Sequence, residues 1–166
     1  MKTDVNIISE LSTTGIYTLL LFLSKEVTVD IGRLGKQRLP MGHYTYTGSA
    51  LGKGATSLKH RIARHLRKEK WKFWHIDYLL VDENVSVEAV IVAETNKDME
   101  CNLNSYMKSI MGAKVPVTGF GASDCRKKCG SHLLYFPEIE NVDWLVQKLV
   151  RHLQSSSGIL SVLVID

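Results

Sequence analysis

The sequence predicts an α+β fold, a small and mostly antiparallel sheet flanked by helices, in a single domain over residues 1–166. Three observations carry this. A 45% hydrophobic fraction over 166 residues suits one packed core. Apolar, β-prone runs sit at Gly15–Leu23 and Val85–Glu94, and short turns follow the first of them. Between and after these runs, apolar residues recur with the helical period.

Residues 1–12 read as a loose lead-in. Gly15–Leu23 is apolar on both faces and therefore a central strand, with Tyr17 on the face of Gly15, Leu19 and Leu21. Val27–Ile31 alternates after a Ser24-Lys25-Glu26 turn, and Lys36–Leu39 follows Gly32-Arg33-Leu34-Gly35 and can pair back. Pro40-Met41-Gly42 turns into the strand Tyr44–Thr47, and Gly48–Gly54 is a glycine-rich turn through Lys53. A helix over 56–69 is capped by Thr56 or Ser57, with Leu58, Ile62 and Leu66 as its apolar stripe and Arg61, Arg64, His65 and Lys68 beside it. Trp71, Phe73, Trp74 and Tyr78 read as core aromatics in preference to a nucleobase platform. Their neighbours His75 and Asp77 either support the site or are hydrogen-bonded core groups. Asp98 caps a helix over 99–111. Residues 115–123 are loop-like, and His132–Phe136 is a strand. Asn141–Leu153 is an amphipathic helix ended by Ser155-Ser156-Ser157-Gly158. Ile159–Ile165 is either a further strand or a tail that docks on a partner.

The net charge of +4 is unevenly spread: Gly52–Lys72 carries +7, which leaves −3 elsewhere. Such a window is either a docking surface for a polyanion or a solvated helix face. No apolar run approaches the ~20 residues of a membrane span. No secretory signal is visible, and an odd count of three cysteines fits reduced thiols in a cytoplasmic protein.

Strand, glycine turn and basic helix together suit a phosphate-bearing ligand, because free amides and arginine forks match phosphate oxygens. Gly48, Ser49, Lys59, Arg64, Arg67 and Lys68 are the candidate binding residues. Glu100 falls within the apolar face of its helix, and a carboxylate there needs a cation, a hydrogen-bond partner or an open cleft. A wet, first-turn glutamate is the plainer alternative.

The ordered set Gly15-Ile16-Tyr17, Tyr46-Thr47-Gly48, Arg61 with His65 four later, and Glu100 resembles the GIY-YIG nuclease superfamily. Its long stretches are closer to a largely archaeal, uncharacterised branch: Tyr-x-Gly-Ser-Ala-Leu-Gly, Arg-x-x-x-His, Trp-His-Ile-Asp-Tyr and Gly-Phe-Gly-x-Ser-Asp-Cys, together spanning residues 15–136. The resemblance implies DNA phosphodiester hydrolysis with one Mg2+ or Mn2+. It implies that Tyr17 and Tyr46 line the site, one of them helping to activate water. Gly48 lets the chain turn closely, Arg61 holds the phosphate, His65 transfers a proton and Glu100 holds the metal. A tyrosine is a poor base unless cations such as Arg61 or the metal lower its pKa. An inserted strand or hairpin over Val27–Leu39 accounts for the 28 residues between Tyr17 and Tyr46.

Cys125-x-x-x-Cys129-x-x-His132, with Cys101 beside Glu100, offers the ligands of a structural Zn2+. The spacing falls short of a finger pattern, so small buried thiols are the preferred reading. The expected partner is nucleic acid, DNA first, and not a membrane. A binding module without catalysis, and an interaction protein that self-associates or recruits a protein through Ile159–Ile165, are the competing readings.

Overall fold

The computed structural model describes residues 4–52, 54–123, 125–155 and 159–165. Lys53 of the glycine turn, Asp124, and Ser156-Ser157-Gly158 after the last helix lie outside the described residues.

The elements run α1 (Asp4–Glu10), β1 (Gly15–Leu23), β2 (Val27–Asp30), β3 (Lys36–Leu39), β4 (Gly42–Ala50), α2 (Leu58–Leu66), α3 (His75–Leu80), β5 (Val85–Glu94), α4 (Glu100–Ile110), β6 (Leu133–Phe136), α5 (Val142–Gln154) and β7 (Ile159–Val164). Five strands form one antiparallel sheet in the order β6-β4-β1-β5-β7. The expected α+β fold is therefore the observed one, with Gly15–Leu23 beside Tyr44–Thr47.

β1 lies in the centre because it can be covered on both faces. Tyr17, Leu19, Leu21 and Leu23 share a core with α2, α3 and the hairpin. Ile16 and Leu20 face the second core, under α4 and α5. The hairpin over Val27–Leu39 is present as a separate two-stranded sheet of β2 and β3. Ile159–Val164 pairs with β5, so the C-terminal run is an edge strand of this sheet.

Four expectations change. The cap position of α4 is Met99 and not Asp98, and the helix runs over Glu100–Ile110. Part of the lead-in, Asp4–Glu10, is helical, because Ile7 and Ile8 pack on the first core. α2 ends at Leu66, three residues short of the expected Glu69, where Arg67 adopts an extended backbone. Trp71 and Phe73 are not core residues: they are 91% and 78% exposed, on irregular chain between α2 and α3. No described helix is long and apolar enough to cross a membrane.

Candidate functional site

Tyr17 on β1 stands directly across from Gly48 on β4, and Tyr46 stands across from Leu19. Residues opposed in an antiparallel pair share a face, so both tyrosines point toward α2. Gly48 is required by contact. A Cβ there would lie 2.5 Å from the Tyr17 hydroxyl oxygen and 2.6 Å from its Cζ.

From α2, His65 meets Tyr17: its Nε2 lies 2.8 Å from the phenol oxygen. Burial, then Lys70, pushes the His65 pKa down to about 3, so the imidazole is neutral. Its Nδ1 is buried without a partner. Both tyrosines stand above their ordinary pKa because burial outweighs everything else. Arg61 does pull both phenols downward, but less strongly, so Arg61 by itself does not ready a tyrosine as a base.

Arg61, one turn before His65, donates Nη1–H to the Ser49 carbonyl at 2.7 Å and lies 5.3 Å from the centre of the Trp74 ring. The same guanidinium lies close enough to Tyr17 to pull its pKa down against burial. Its Nε is buried with no partner.

Glu100 begins α4 on the other side of the sheet. Ser49, whose neighbours Gly48 and Ala50 face α2, turns toward it and hydrogen-bonds its carboxylate. Burial, then the charge of Asp98, raises the Glu100 pKa against the pull of Ser49, Arg61 and Lys127. The buried side of α4 is formed by Cys101, Leu103, Asn104 and Met107, and Glu100 sits half-buried at its border.

These groups meet at the end of β1 and β4, in a cavity of about 540 Å3. Tyr17, Tyr46, Gly48, Ser49, Arg61 and Glu100 line it, and Phe73, Trp74 and His75 close one rim. The 117–132 loop forms the opposite wall. Its Gly121 N–H donates to His75 Nδ1 at 2.9 Å, and its φ of +64° together with a 2.9 Å approach to the Tyr46 ring excludes a side chain.

The basic residues divide. Arg64 points inward, donating Nη2–H to Asp77 Oδ2 at 2.6 Å and to the Trp71 carbonyl at 2.9 Å. Asp77 is fully buried and also accepts the Phe73 and Trp74 amides, which makes it the capping acid of α3. Lys68 donates to the Val85 carbonyl at 2.8 Å. Arg67 is exposed and Lys59 half-buried.

The cysteines, preferred as isolated buried thiols, come together. The ligand atoms of Cys101, Cys125, Cys129 and His132 all lie within 4.8 Å of one another and can hold a metal ion. Cys101 reaches this group from α4, so the four residues that the sequence offers as zinc ligands are the four brought together. Burial pushes the Cys101 thiol up. At Cys125 burial acts the same way, but hydrogen bonds from the Cys129 amide, Cys101 and His132 outweigh it and draw the thiol down to about 6.

No curated protein and no solved structure matches the chain. A family model does match, over residues 16–155. That span takes in the sheet except Gly15 and the edge strand β7, together with every residue of the cavity and the thiol group. The chain belongs to the family described as domain of unknown function DUF123.

Proposed function

We propose that the protein is a divalent-metal-dependent endonuclease of the GIY-YIG superfamily that hydrolyses DNA phosphodiesters. One observation carries the reading: Tyr17, Tyr46, Arg61 and Glu100, distant in sequence, line one polar cavity, and His65 bonds to the first of them. The order of these residues is that of the superfamily's motifs.

Phosphodiester hydrolysis needs a water in line with the leaving oxygen, a path for its proton, and cations for the developing charge. Arg61 is held by Ser49 and Trp74 with its fork toward the cavity, so it binds the scissile phosphate without needing to reorganise. Tyr17 orients the water. Because Tyr17 is a neutral phenol bonded to a neutral imidazole, it accepts the water proton while passing its own to His65 Nε2. The phosphate favours this transfer, since an anion placed beside His65 raises its proton affinity. Tyr46 and Gly121 fix the far wall.

Glu100 would hold Mg2+ or Mn2+. The fit rests on a half-buried carboxylate whose charge is poorly compensated, opening on a polar cavity. Magnesium commonly takes one or two protein carboxylates and keeps several waters. When bound, the ion supplies positive charge to the phosphoryl oxygens in the transition state. Exposed Phe73 offers a stacking face for an unpaired base at the rim, which supports structured or branched DNA as the substrate.

The test is nicking of supercoiled and branched DNA with Mg2+, with Mn2+ and with chelator. The expected result is metal-dependent nicking by wild type and a loss of orders of magnitude in Glu100→Gln, which keeps shape and polarity but loses the charge. Absence of nicking by wild type on every substrate, with binding retained, would replace this reading with the binding module.

A further inference from the structure

We propose that Cys101, Cys125, Cys129 and His132 bind one Zn2+ in a closed, four-ligand site that pins the 117–132 loop to α4 directly behind Glu100. This site stands whether or not the protein cleaves DNA.

The first argument is distance. The three sulfurs form a near-equilateral triangle, 3.1 Å, 3.2 Å and 3.4 Å apart, and His132 Nε2 lies 3.9 Å from the Cys101 sulfur. Tetrahedral zinc with Zn–S near 2.3 Å and Zn–N near 2.0 Å requires sulfurs about 3.8 Å apart and sulfur to nitrogen about 3.6 Å. Each edge of the triangle need open by only about 0.4–0.7 Å. A disulfide would require about 2.05 Å, and would satisfy two of the thiols and strand the third.

The second argument is the surrounding shell. His132 turns Nε2 to the thiols and Nδ1 toward Glu100 Oε2, 3.8 Å away. That is the carboxylate–histidine arrangement that sets the tautomer of a metal-bound imidazole. Lys108 donates to the Cys129 carbonyl at 2.7 Å, and fully buried Asn104 reaches the Ser131 carbonyl at 3.5 Å. Lys128, between the two loop cysteines, has φ of +50° and is the sole described non-glycine residue with positive φ. Strain of that kind persists where surrounding structure imposes it. Zinc bound to three thiolates and a neutral imidazole leaves a single net negative charge. Exposed Arg126, Lys127 and Lys128 lie in the same loop to offset it.

The third argument is selectivity. Sulfur and imidazole donors suit zinc, whereas Mg2+ and Mn2+ prefer oxygen. Two different sites, Glu100 for a hard ion and the thiols for a soft one, therefore lie back to back. On binding, each protonated thiol releases its proton and no oxidant is involved. Because the loop carries Gly121, which abuts Tyr46, and α4 carries Glu100, the zinc fixes both walls of the cavity.

The experiment uses the full chain purified under reducing conditions without added chelator. Elemental analysis is expected to find about one zinc per chain, and a mercurial that titrates the thiols should release it. After zinc removal, Co2+ should give the visible absorption of tetrahedral thiolate coordination. Cys129→Ser should lose the zinc, and Arg67→Ala, on exposed chain after α2, should retain it. Should Cys129→Ser fail to fold, the cobalt spectrum and thiol-triggered release on wild type still decide. Reduced wild-type protein with neither bound zinc nor a cobalt–thiolate spectrum would overturn the proposal. Iron in place of zinc would do so too.

Discussion

Replacing Gly48 by alanine puts a methyl carbon 2.5 Å from the Tyr17 hydroxyl oxygen and 2.6 Å from Cζ. Ordinary carbon contacts begin near 3.4 Å, so the phenol must retreat by roughly 1 Å. It has little room: Tyr17 is 2% exposed and rests against the His65 ring. Overpacking of this kind costs about 1–3 kcal/mol. Losing the 2.8 Å bond to His65 leaves two buried polar atoms unsatisfied, at about 1–3 kcal/mol more. Alanine recovers about 0.5–1 kcal/mol of strand entropy. The net expectation is a loss of about 1–5.5 kcal/mol in a urea titration. A double-mutant cycle with Tyr17→Phe should show coupling, since the phenylalanine has already surrendered the bond. Gly48→Ala within about 0.5 kcal/mol of wild type would refute this account of how β1 and β4 position Tyr17.

Arg64→Ala should cost about 3 kcal/mol in the same titration, because it leaves the fully buried Asp77 without its cation while two amide donors remain; a loss under about 1 kcal/mol would make that pair ornamental. Acidification should destabilise the fold through His65. Its folded pKa of about 3 lies below the ordinary 6.5, so below pH 6.5 the unfolded chain takes up a proton that the folded one refuses. The stability lost approaches about 1.4 kcal/mol per pH unit until the folded value is reached. His65→Gln should flatten that part of the profile, and parallel profiles would disprove it. Arg67→Ala with Lys59→Ala should weaken DNA binding at all sequences alike and reduce the salt slope by about 1 per side chain, with the melting curve unchanged. An unchanged slope would remove this helix from the DNA interface.

β1 was legible to the residue because a strand buried on both faces writes an almost unbroken apolar run, and β5 because β-branched residues recur along it and its second half is buried. The hairpin of β2 and β3 was legible from alternation and glycine turns. The end of α2 was not. Basic residues continue past Leu66 at helical spacing, and the chain leaves the helix so that Arg64 can meet Asp77, a contact set by α3. Trp71 and Phe73 misled for a related reason: aromatic residues favour the core, and only the course of 67–74 outside the core exposes them. Tyr17, Tyr46 and Arg61 were legible as a constellation through motif order, but the Tyr17–His65 bond follows from the docking angle of α2. The spacing of Cys125, Cys129 and His132 suggests a metal site but falls short of a finger pattern, and it favours small buried thiols instead. Cys101 lies 24 residues before Cys125, and only the packing of α4 brings it to the loop.

The most direct test of the account is anomalous diffraction from a crystal of the protein soaked in Mn2+. The prediction is a manganese peak about 2.1 Å from a Glu100 carboxylate oxygen, inside the cavity of Tyr17, Tyr46 and Arg61, with none at the three thiols. Saturating manganese that leaves the Glu100 carboxylate bare would contradict it.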